Sequence, residues 1–504
     1  MSTTVMFTIF IIVLYLIITI SIGVKAAKSQ NITSISDIFT ASRSLGFVAL
    51  AMAIFGSQIT AFGILGIPGV AYNTGYSTMG YIGGLAFAPT IGFYIFGYRA
   101  WLLARKNNYV TPVQFFYDRF NDNAPRFIIA LAQITLMIPY ILILGIGSGN
   151  ILLTLTDGVI PYWLGSLIIL MICTWTAYAG GMKGTAWTNI FQGALMFMAM
   201  FLLLLFVYRA LGGGNSITAQ LPKNMISLGG EGIQKAGQWI PFSLLATGIS
   251  NGVFGHILIR NMSAANSKTL QMNVKAYPVL YGIFMFIAVA LGVWGKILIP
   301  GLKGAETENI IPMLAYQFAP YWMIGVLGAG ILAAIMSSWD GMILTMSSIF
   351  SEDFYKPIFV TNKGIVNTND QDKKISKIFI IIISIVIYIL VLLRPASILK
   401  IATFSFAGMA SITPAYFGCL YWKRATKWGV IVSTIVGVVF SALWALNILP
   451  TWTTFGMFYG AMAIILSIVA LVVISYLTTP APQDTIKSFF SAFTDVYEDG
   501  DIEK

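Results

Sequence analysis

The sequence predicts an all-α integral membrane protein with about 13 transmembrane helices. Hydrophobic residues make up 58% of the 504 residues and charged residues only 9%, whereas about 25% of the residues of a soluble protein are charged. Apolar runs of roughly 20 residues, the length that a helix needs to cross a bilayer, recur from end to end. No interval between them is long enough for a separate soluble domain, so one polytopic domain is expected over residues 1–478.

The apolar runs define the predicted spans. The first run has no basic residue before it and exceeds the apolar region of a secretory signal, so it is interpreted as a retained helix. In order, the predicted spans are 5–27, 45–72, 78–103, 127–155, 161–178, 188–209, 239–260, 273–299, 322–348, 377–393, 397–421, 428–449 and 453–478. Residues 479–504 are predicted to form a short, loosely ordered cytoplasmic tail.

Membrane topology explains the net charge of +11 without any role in nucleic-acid binding. With 13 spans and the N-terminus outside, 22 of the 29 Lys and Arg residues fall in the inner loops and tail, Arg260 among them. This bias is typical of cytoplasmic loops. We therefore expect a multi-pass protein of the cell membrane with its C-terminus in the cytoplasm. Cys173 and Cys419 both lie in predicted helices, so the sequence indicates neither a disulfide framework nor a metal site.

Two predicted spans contain clusters of helix-breaking residues. The stretch 55–69 holds four glycines and one proline, and the stretch 247–256 holds three glycines among polar residues. Opened backbone at membrane depth persists only where protein or a cavity satisfies it. Paired interruptions in corresponding halves of a chain indicate a transporter's binding site. Close packing of helices through glycine is the alternative interpretation.

The apolar segment 325–357 carries two adjacent hydroxyls. Ala334, Ser337 and Ser338 follow the i, i+3, i+4 spacing, so one carbonyl and two hydroxyls share a helix face. Neutral oxygens that converge at the middle of a membrane suit a partly dehydrated alkali cation, and discontinuous helices supply further carbonyl ligands. Alternatively, each serine bonds back to the preceding turn of its own helix.

Five stretches carry a resemblance to a known family. They are SRSLGFVALAMAIFGSQITAFGILGIPGVAY at 42–72, YAGGMKGTAWTNIFQGALM at 178–196, HILIRNMSAANS at 256–267, ILAAIMSSWDGMILTMSSIFSEDFYK at 331–356 and PAYFGCLYWKRATKWGVIVSTIVG at 414–437. Together they span nearly the whole chain. In these stretches the chain resembles the sodium/solute symporter family, and it is most similar to the branch that handles proline, pantothenate and monocarboxylates.

The resemblance implies a leucine-transporter-like fold with a five-plus-five inverted repeat. The extra N-terminal helix would occupy 5–27, the repeats 45–209 and 239–421, and the two C-terminal helices 428–478. The resemblance also implies a sodium site between the first and eighth core helices. Its ligands would be the carbonyls of Gly56, Ile59 and Ala334 and the hydroxyls of Ser337 and Ser338.

The resemblance also places an organic substrate beside the two interruptions. Gln58 and Thr60 would project from the first, Thr247, Ser250 and Asn251 from the second, and Tyr140 would be a gate or a packing aromatic. Gln58 stands where proline-type relatives have aspartate, and Asn189 stands where many relatives have aspartate. Both departures remove a negative charge, which puts the strength of sodium coupling in question.

Two ionisable residues lie deep in the predicted spans. Asp340 is about 200° around its helix from Ser338, so it is expected to face a packing or gating network. His256 is expected to be a structural histidine at the inner end of its helix. The sequence holds no HExxH motif and only one histidine, which argues against an enzyme.

The expected activity is sodium-coupled uptake of a small organic solute, an amino acid such as proline or a small carboxylate, by alternating access. A proton-coupled symporter that uses Asp340 and a sodium-independent facilitator are the alternatives. The expected partners are the solute, sodium and the lipid bilayer, with no nucleic acid and no obligate protein partner.

Overall fold

The computed structural model describes residues 2–28, 35–80, 83–227, 247–360, 369–394 and 398–498. Within these ranges the regular structure is helical, apart from one bridge that pairs Leu45 with Ala264. The prediction of an all-α protein is therefore confirmed. Some predicted segments lie outside the described residues. They are residues 81 and 82 of the span 78–103, the start of the span 239–260, the first residue of the span 397–421 and the end of the predicted tail.

The described residues form eighteen α-helices of seven residues or more. They are α1 (Thr3–Lys28), α2 (Phe47–Gln58), α3 (Ile67–Thr74), α4 (Tyr98–Asn107), α5 (Gln114–Phe120), α6 (Asn123–Leu155), α7 (Tyr162–Ala210), α8 (Gly214–Gln220), α9 (Gly255–Met262), α10 (Ser267–Leu298), α11 (Ile310–Phe318), α12 (Tyr321–Ile349), α13 (Asn369–Leu393), α14 (Ile398–Ser411), α15 (Thr413–Tyr421), α16 (Lys427–Ala445), α17 (Tyr459–Leu477) and α18 (Gln483–Glu498).

Shorter helical pieces connect or extend these helices. Three α-helical pieces are Ile35–Thr40, Ala88–Gly92 and Lys223–Ile226. Tighter 3₁₀ turns occur at Ala41–Arg43, Gly75–Met79, Ser250–Val253, Gly304–Asn309 and Thr451–Thr454. Wider π-helical turns occur at Phe62–Gly66, Gly83–Phe87, Phe93–Gly97 and Phe350–Val360. The π-turns cluster in the predicted spans 45–72 and 78–103 and directly after α12, where local helix geometry is irregular.

Among the described residues, eight helices are long and apolar enough to cross a membrane, or nine if one bent pair counts as a single span. The predicted number of 13 is not confirmed. Part of the difference lies in α7, which has 49 residues and runs through two predicted spans. Gly181 interrupts it with a φ of 53°, a backbone conformation that glycine adopts without steric cost. Other predicted spans, 78–103 and 397–421 among them, consist of shorter helical pieces.

Helix α12 forms the centre of the bundle. Of the most apolar 18-residue window in its span, 89% is buried, against 28% for α1 at the periphery. Helices α6 and α7 pack against α12, and α1 packs across α7 and α12. The serine pair predicted from the sequence therefore lies at the centre of the protein and away from lipid.

An ion pair joins α6 to the segment that follows α12. The Nε atom of Arg126 lies 2.6 Å from Oδ1 of Asp353, and the hydroxyl of Thr111 donates to Oδ2 of the same carboxylate at 2.6 Å. Asp353 is fully buried, so its charge requires these partners. The contacts hold α6 and α12 together at one end of the bundle.

The prediction of a loosely ordered tail is wrong for residues 483–498, which form α18. This helix is amphipathic and packs on α4 and α5. Phe489, Phe490 and Phe493 on its apolar face are buried, and the guanidinium of Arg99 lies 4.4 Å from the ring centre of Phe493. Spacing of the aromatic residues by three and four positions, which puts them on one face, was the sequence signal for this helix.

Replacing both Phe490 and Phe493 with alanine is expected to release α18 from the bundle. Truncation of a buried Phe costs roughly 3–5 kcal/mol in a protein core, and the other buried residues of α18 among those with described burial are Ile486, Phe489 and Ala492. Trypsin cleavage after Lys487, measured by mass spectrometry of the folded protein, should accelerate at least tenfold. The exposed Ser488→Ala substitution is the control, and equal cleavage rates for all variants would contradict this packing role.

Candidate functional site

The first interruption separates α2 from the π-turn Phe62–Gly66. Helix α2 ends at Gln58, and Ile59 has an extended backbone with φ −90° and ψ 105°. The two halves of the span are bent by 61°. The break is therefore narrower than the predicted stretch 55–69 and lies at Ile59 and Thr60. The carbonyl groups that precede it are released from regular helical bonding, because the chain no longer continues as a helix.

The structure brings all five predicted sodium ligands together at this break. The hydroxyl of Ser337 lies 2.9 Å from the carbonyl oxygen of Gly56 and 3.0 Å from that of Ala334. The hydroxyl of Ser338 lies 3.1–3.3 Å from the carbonyl oxygens of Gly56, Ser57, Ile59 and Ala334. Both serines are completely buried.

The carbonyl oxygens in this cluster outnumber the hydroxyl protons that could join them. Two hydroxyl groups supply two protons, whereas four carbonyl oxygens lie within hydrogen-bonding distance. Bonding back to Ala334 accounts for only one of these carbonyls. The remaining carbonyl oxygens place partial negative charge close together in a buried position, which favours the binding of a cation. Ser57, whose carbonyl also joins the cluster, is a neighbour that the sequence did not single out.

Gly56 permits the close approach of α2 to α12. A Cβ atom added at this position would lie 3.2 Å from Oγ and 3.3 Å from Cβ of Ser337. A side chain here would therefore require Ser337 to shift by a few tenths of an ångström away from α2.

A second group of predicted residues surrounds the same break. Gln58 is 6% exposed, and its Nε2 atom has no hydrogen-bond partner among the described residues. The hydroxyl of Thr60 accepts a bond from the Phe62 amide at 3.2 Å and lies near the Tyr140 hydroxyl. Tyr281 donates to the carbonyl of Gln58 at 3.3 Å. Gln58, Thr60 and Tyr140 are therefore brought together, with Tyr281 as an additional member.

Thr247, Ser250 and Asn251 lie on the second interruption. Ser250–Val253 is a 3₁₀ turn, Phe254 is extended, and α9 begins at Gly255. The turn packs closely against the Gly83–Gly92 segment. The Oδ1 atom of Asn251 is buried and has no partner in the described part of the chain. The link from this interruption to the Gln58 group is His256, whose ring centre lies 5.9 Å from that of Tyr140.

His256 differs from its expected setting. It is the second residue of α9, at the interruption, and so does not lie at the far end of its helix. It is completely buried, and neither ring nitrogen has a hydrogen-bond partner among the described residues. A structural histidine normally satisfies its ring nitrogens. Sequence spacing could not reveal this, because the start of α9 depends on where the interruption falls.

Phe406 on α14 is a further member that sequence reasoning missed. Its ring centre lies 5.1 Å from that of Tyr140, 6.0 Å from that of Phe254 and 6.2 Å from that of Phe62. These rings come from four separate segments and place apolar surface beside Tyr140. An apolar lining with a few convergent polar groups is the usual composition of a small-molecule site.

Asp340 faces α7, on a different side of α12 from the contacts of the serines with α2. Its Oδ1 atom accepts a hydrogen bond from Thr176 on α7 at 2.9 Å. This agrees with the expectation that Asp340 faces a packing or gating network. The described contacts of Asp340 include none of the predicted sodium ligands.

Arg260 is completely buried, so its assignment to an inner loop is wrong. Its Nη1 atom donates to the carbonyl of Ala53 on α2, and its Nη2 atom donates to the carbonyl of Ser337 on α12 at 3.3 Å. The guanidinium of Arg260 also packs against Gly341, the residue next to Asp340. One guanidinium therefore links α9 with the two helices that hold the oxygen cluster.

Asn189 is buried on α7, and neither atom of its carboxamide has a partner in the described ranges. Nearby on the same helix, Gln192 donates to the hydroxyl of Tyr15 on α1 at 3.1 Å. Position 189 therefore holds a neutral polar group inside the bundle.

Known structures share this architecture. A substrate-bound, outward-open Na⁺-coupled sialic acid symporter superposes with a TM-score of 0.78 at 20% identity, covering 95% of this chain and 99% of that one. Mhp1, a nucleobase–cation symport-1 family transporter in a closed conformation, superposes with a TM-score of 0.57 at 13% identity, covering 90% and 98%. The fold is therefore leucine-transporter-like.

The interrupted helices and the buried oxygen cluster, on this fold, define a secondary transporter of the membrane. The model of the sodium:solute symporter family matches residues 38–437, and the chain belongs to the sodium:solute symporter family. It is thus a multi-pass transporter and not an enzyme, with a small-molecule solute as substrate and sodium as the coupling ion.

Curated relatives extend the similarity over 94% of the chain. The sodium/proline symporter of Haemophilus influenzae is 27% identical over 94% of this chain and 94% of its own length. The sodium/proline symporter of Staphylococcus aureus is also 27% identical, over 94% of this chain and 93% of its own length.

Proposed function

We propose that this chain takes up a small zwitterionic amino acid such as proline, or a small carboxylate, together with sodium. The observation that carries the proposal is the cluster of four carbonyl oxygens around Ser337 and Ser338, next in the chain to Gln58, whose Nε2 atom has no hydrogen-bond partner among the described residues. In this proposal the sodium ligands are the carbonyls of Gly56, Ile59 and Ala334 and the hydroxyls of Ser337 and Ser338.

The chemistry of the second site matches a compact polar solute. Gln58 offers an unused donor and Asn251 an unused acceptor, while His256 offers one of each when its ring is neutral. A carboxylate would accept from Gln58, and an ammonium group would donate to Asn251. Thr60, Tyr140, Thr247 and Ser250 complete the proposed substrate contacts. The similarity to sodium/proline symporters supports the same class of solute.

Sodium and solute are proposed to bind next to each other and to stabilise each other's binding. Gln58 lies between Gly56 and Ile59 in sequence, so a cation held by their carbonyls would be next to the solute. Its positive charge would compensate a solute carboxylate, so the site could accept an anionic group although the side chain of Gln58 is neutral. The two ligands should therefore bind cooperatively, each raising the affinity for the other by the same factor.

The proposed cycle is alternating access with the N-terminus outside and the C-terminus in the cytoplasm of a cell-membrane protein. Sodium ties α2 to α12 and favours the outward-open state. Sodium can shift this equilibrium only through unequal affinity for the two states. The membrane potential adds about 2.3 kcal/mol per charge per 100 mV to the driving force. The repeat bounds 45–209 and 239–421 belong to this proposal.

The test is uptake of radiolabelled proline, pantothenate, short monocarboxylates and sugars into liposomes that contain the purified protein. We expect accumulation of an amino acid or small carboxylate under an inward sodium gradient, and none under a proton gradient alone. Accumulation driven only by protons would instead favour a carrier role for Asp340. Equilibration without accumulation would indicate a facilitator.

The Gln58→Leu substitution should weaken solute binding without weakening sodium binding. We expect at least a tenfold rise in the half-saturating solute concentration, because a hydrogen bond to a charged group contributes about 1.5–3 kcal/mol. Sodium-dependent thermal stabilisation without solute should persist, because the substitution changes only the side chain and leaves the backbone carbonyls in place. Loss of the sodium response together with unchanged solute affinity would contradict this assignment.

A further inference from the structure

Gln133 on α6 bridges the second interruption with both ends of its carboxamide. Its Oε1 atom accepts from the amide of Gly255 at 3.1 Å, and its Nε2 atom donates to the carbonyl of Val253 at 3.0 Å. These two backbone groups lie on opposite sides of Phe254, where the chain is extended. Gln133 is completely buried, so water cannot replace these bonds.

The interruption needs such a partner. In a continuous helix, the amide of residue 255 and the carbonyl of residue 253 would each have a partner in the backbone of the same helix. The extended backbone at Phe254 prevents both of these bonds. Buried backbone groups without partners cost free energy comparable to a lost hydrogen bond. A carboxamide supplies a donor and an acceptor from one side chain, which is what this pair of groups requires.

The packing around Gly255 supports the same role. A Cβ atom added at Gly255 would lie 2.8 Å from Cε of Met137 and 3.0 Å from Oε1 of Gln133. The absence of a side chain at position 255 therefore lets the backbone of α9 come close enough to α6 for the amide to reach Gln133. His256 follows directly, so the geometry at Gly255 also determines where its ring lies.

We propose that Gln133 is a positioning residue for the substrate site. It holds the Val253–Gly255 interruption open at the start of α9 and thereby sets the positions of Asn251 and His256 relative to Tyr140. The inference rests on the proposed function, because it assigns these residues to solute binding. None of the described contacts of Gln133 is with the oxygen cluster or with the predicted solute-binding residues of the first interruption.

A third bond of Gln133 provides an internal comparison. Its Nε2 atom also donates to the hydroxyl of Tyr416 on α15 at 3.3 Å. If Gln133 only fastened α6 to α15, then Tyr416→Phe would have the same effect as removal of the carboxamide. If Gln133 positions the interruption, Tyr416→Phe should have a small effect, because both bonds to the α9 segment remain.

The experiment compares Gln133→Met, Gln133→Glu and Tyr416→Phe with the parent protein in liposomes. Ser148→Ala is the matched control, because Ser148 is also buried on α6 but bonds only to its own helix at Gly145. For each variant, the half-saturating solute concentration and the maximal rate are measured with whichever solute of the panel the parent transports. The sodium concentration for half-maximal thermal stabilisation is measured without solute.

Gln133→Met should raise the half-saturating solute concentration at least tenfold and change the half-saturating sodium concentration less than twofold. Gln133→Glu, which keeps the acceptor for Gly255, should fall between Gln133→Met and the parent, and it serves as the test if Gln133→Met does not fold. Tyr416→Phe and Ser148→Ala should stay within threefold of the parent for both ligands.

Three results would overturn the proposal. They are an unchanged solute affinity in folded Gln133 variants, a proportional weakening of sodium and solute, and an effect of Tyr416→Phe equal to that of Gln133→Met. Failure of the proposed substrate class is distinguishable, since it would change which solute the parent transports while leaving these comparisons intact.

Discussion

Replacement of both Ser337 and Ser338 with alanine is expected to abolish sodium-dependent accumulation of solute. If each hydroxyl oxygen that coordinates the cation contributes as much as a hydrogen bond to a charged group, the value is on the order of 1.5–3 kcal/mol, and about 1.4 kcal/mol corresponds to a factor of ten in affinity. Loss of both should therefore weaken sodium binding by roughly 100-fold or more. The measurement is sodium-dependent thermal stabilisation of the purified protein, followed by uptake into liposomes under a sodium gradient.

Ser348→Ala is the matched control for this experiment. Ser348 lies on the same helix, is equally buried and donates only to the carbonyl of Thr345 at 2.8 Å. Its loss should leave the sodium response unchanged. If the double variant folds and still responds to sodium with the parent's affinity, the cation is bound elsewhere and the oxygen cluster is only a set of helix–helix bonds.

The second large effect is expected for Arg260→Met, which should lower the free energy of unfolding by about 3 kcal/mol. Two hydrogen bonds from a charged donor to buried carbonyls are lost, each worth about 1.5–3 kcal/mol. The variant no longer buries a charge, and the free energy saved in this way offsets part of the loss. Asp340 also loses a charge that attracts it. Chemical denaturation of the detergent-solubilised protein measures the change.

A double-mutant cycle tests the coupling between the two charges. Asp340→Asn should cost less in the Arg260→Met background than in the parent, with a difference of about 1 kcal/mol or more. Arg119→Met is the matched control. Arg119 is also fully buried and donates to the carbonyls of Trp422 and Lys423, so it should lower stability without coupling to Asp340. Additive effects of Arg260 and Asp340 would show that their charges do not interact appreciably.

The predicted sodium ligands show which part of the site the spacing of residues along one helix can predict. Ala334, Ser337 and Ser338 lie on one face of one helix because of helical periodicity, so their grouping follows from sequence separation alone. Their proximity to Gly56 and Ile59, about 280 residues earlier, came from the family resemblance. The carbonyl of Ser57 was missed, because backbone oxygens carry no residue-type signal.

Arg260, Gln133 and His256 show where sequence reasoning stopped. An arginine near the end of an apolar run is most simply assigned to a loop, and only the packing of α9 against α12 reveals its burial. Gln133 is one polar residue in a long apolar helix, and nothing local indicates the interruption that it bridges. The setting of His256 depends on the position of Phe254, where the backbone becomes extended.

The all-helical class, the membrane location and the presence of two interruptions were determined by the sequence itself, because apolar run length and glycine content act locally on the chain. The tertiary structure alone decided which polar groups meet at those interruptions. It buries Arg260 between α2 and α12, bridges the second break with Gln133 and leaves Nε2 of Gln58 and both ring nitrogens of His256 unpartnered among the described residues. These contacts join residues distant in sequence, and the physical reason is that a buried polar group takes its partner from whichever segment packing brings within reach.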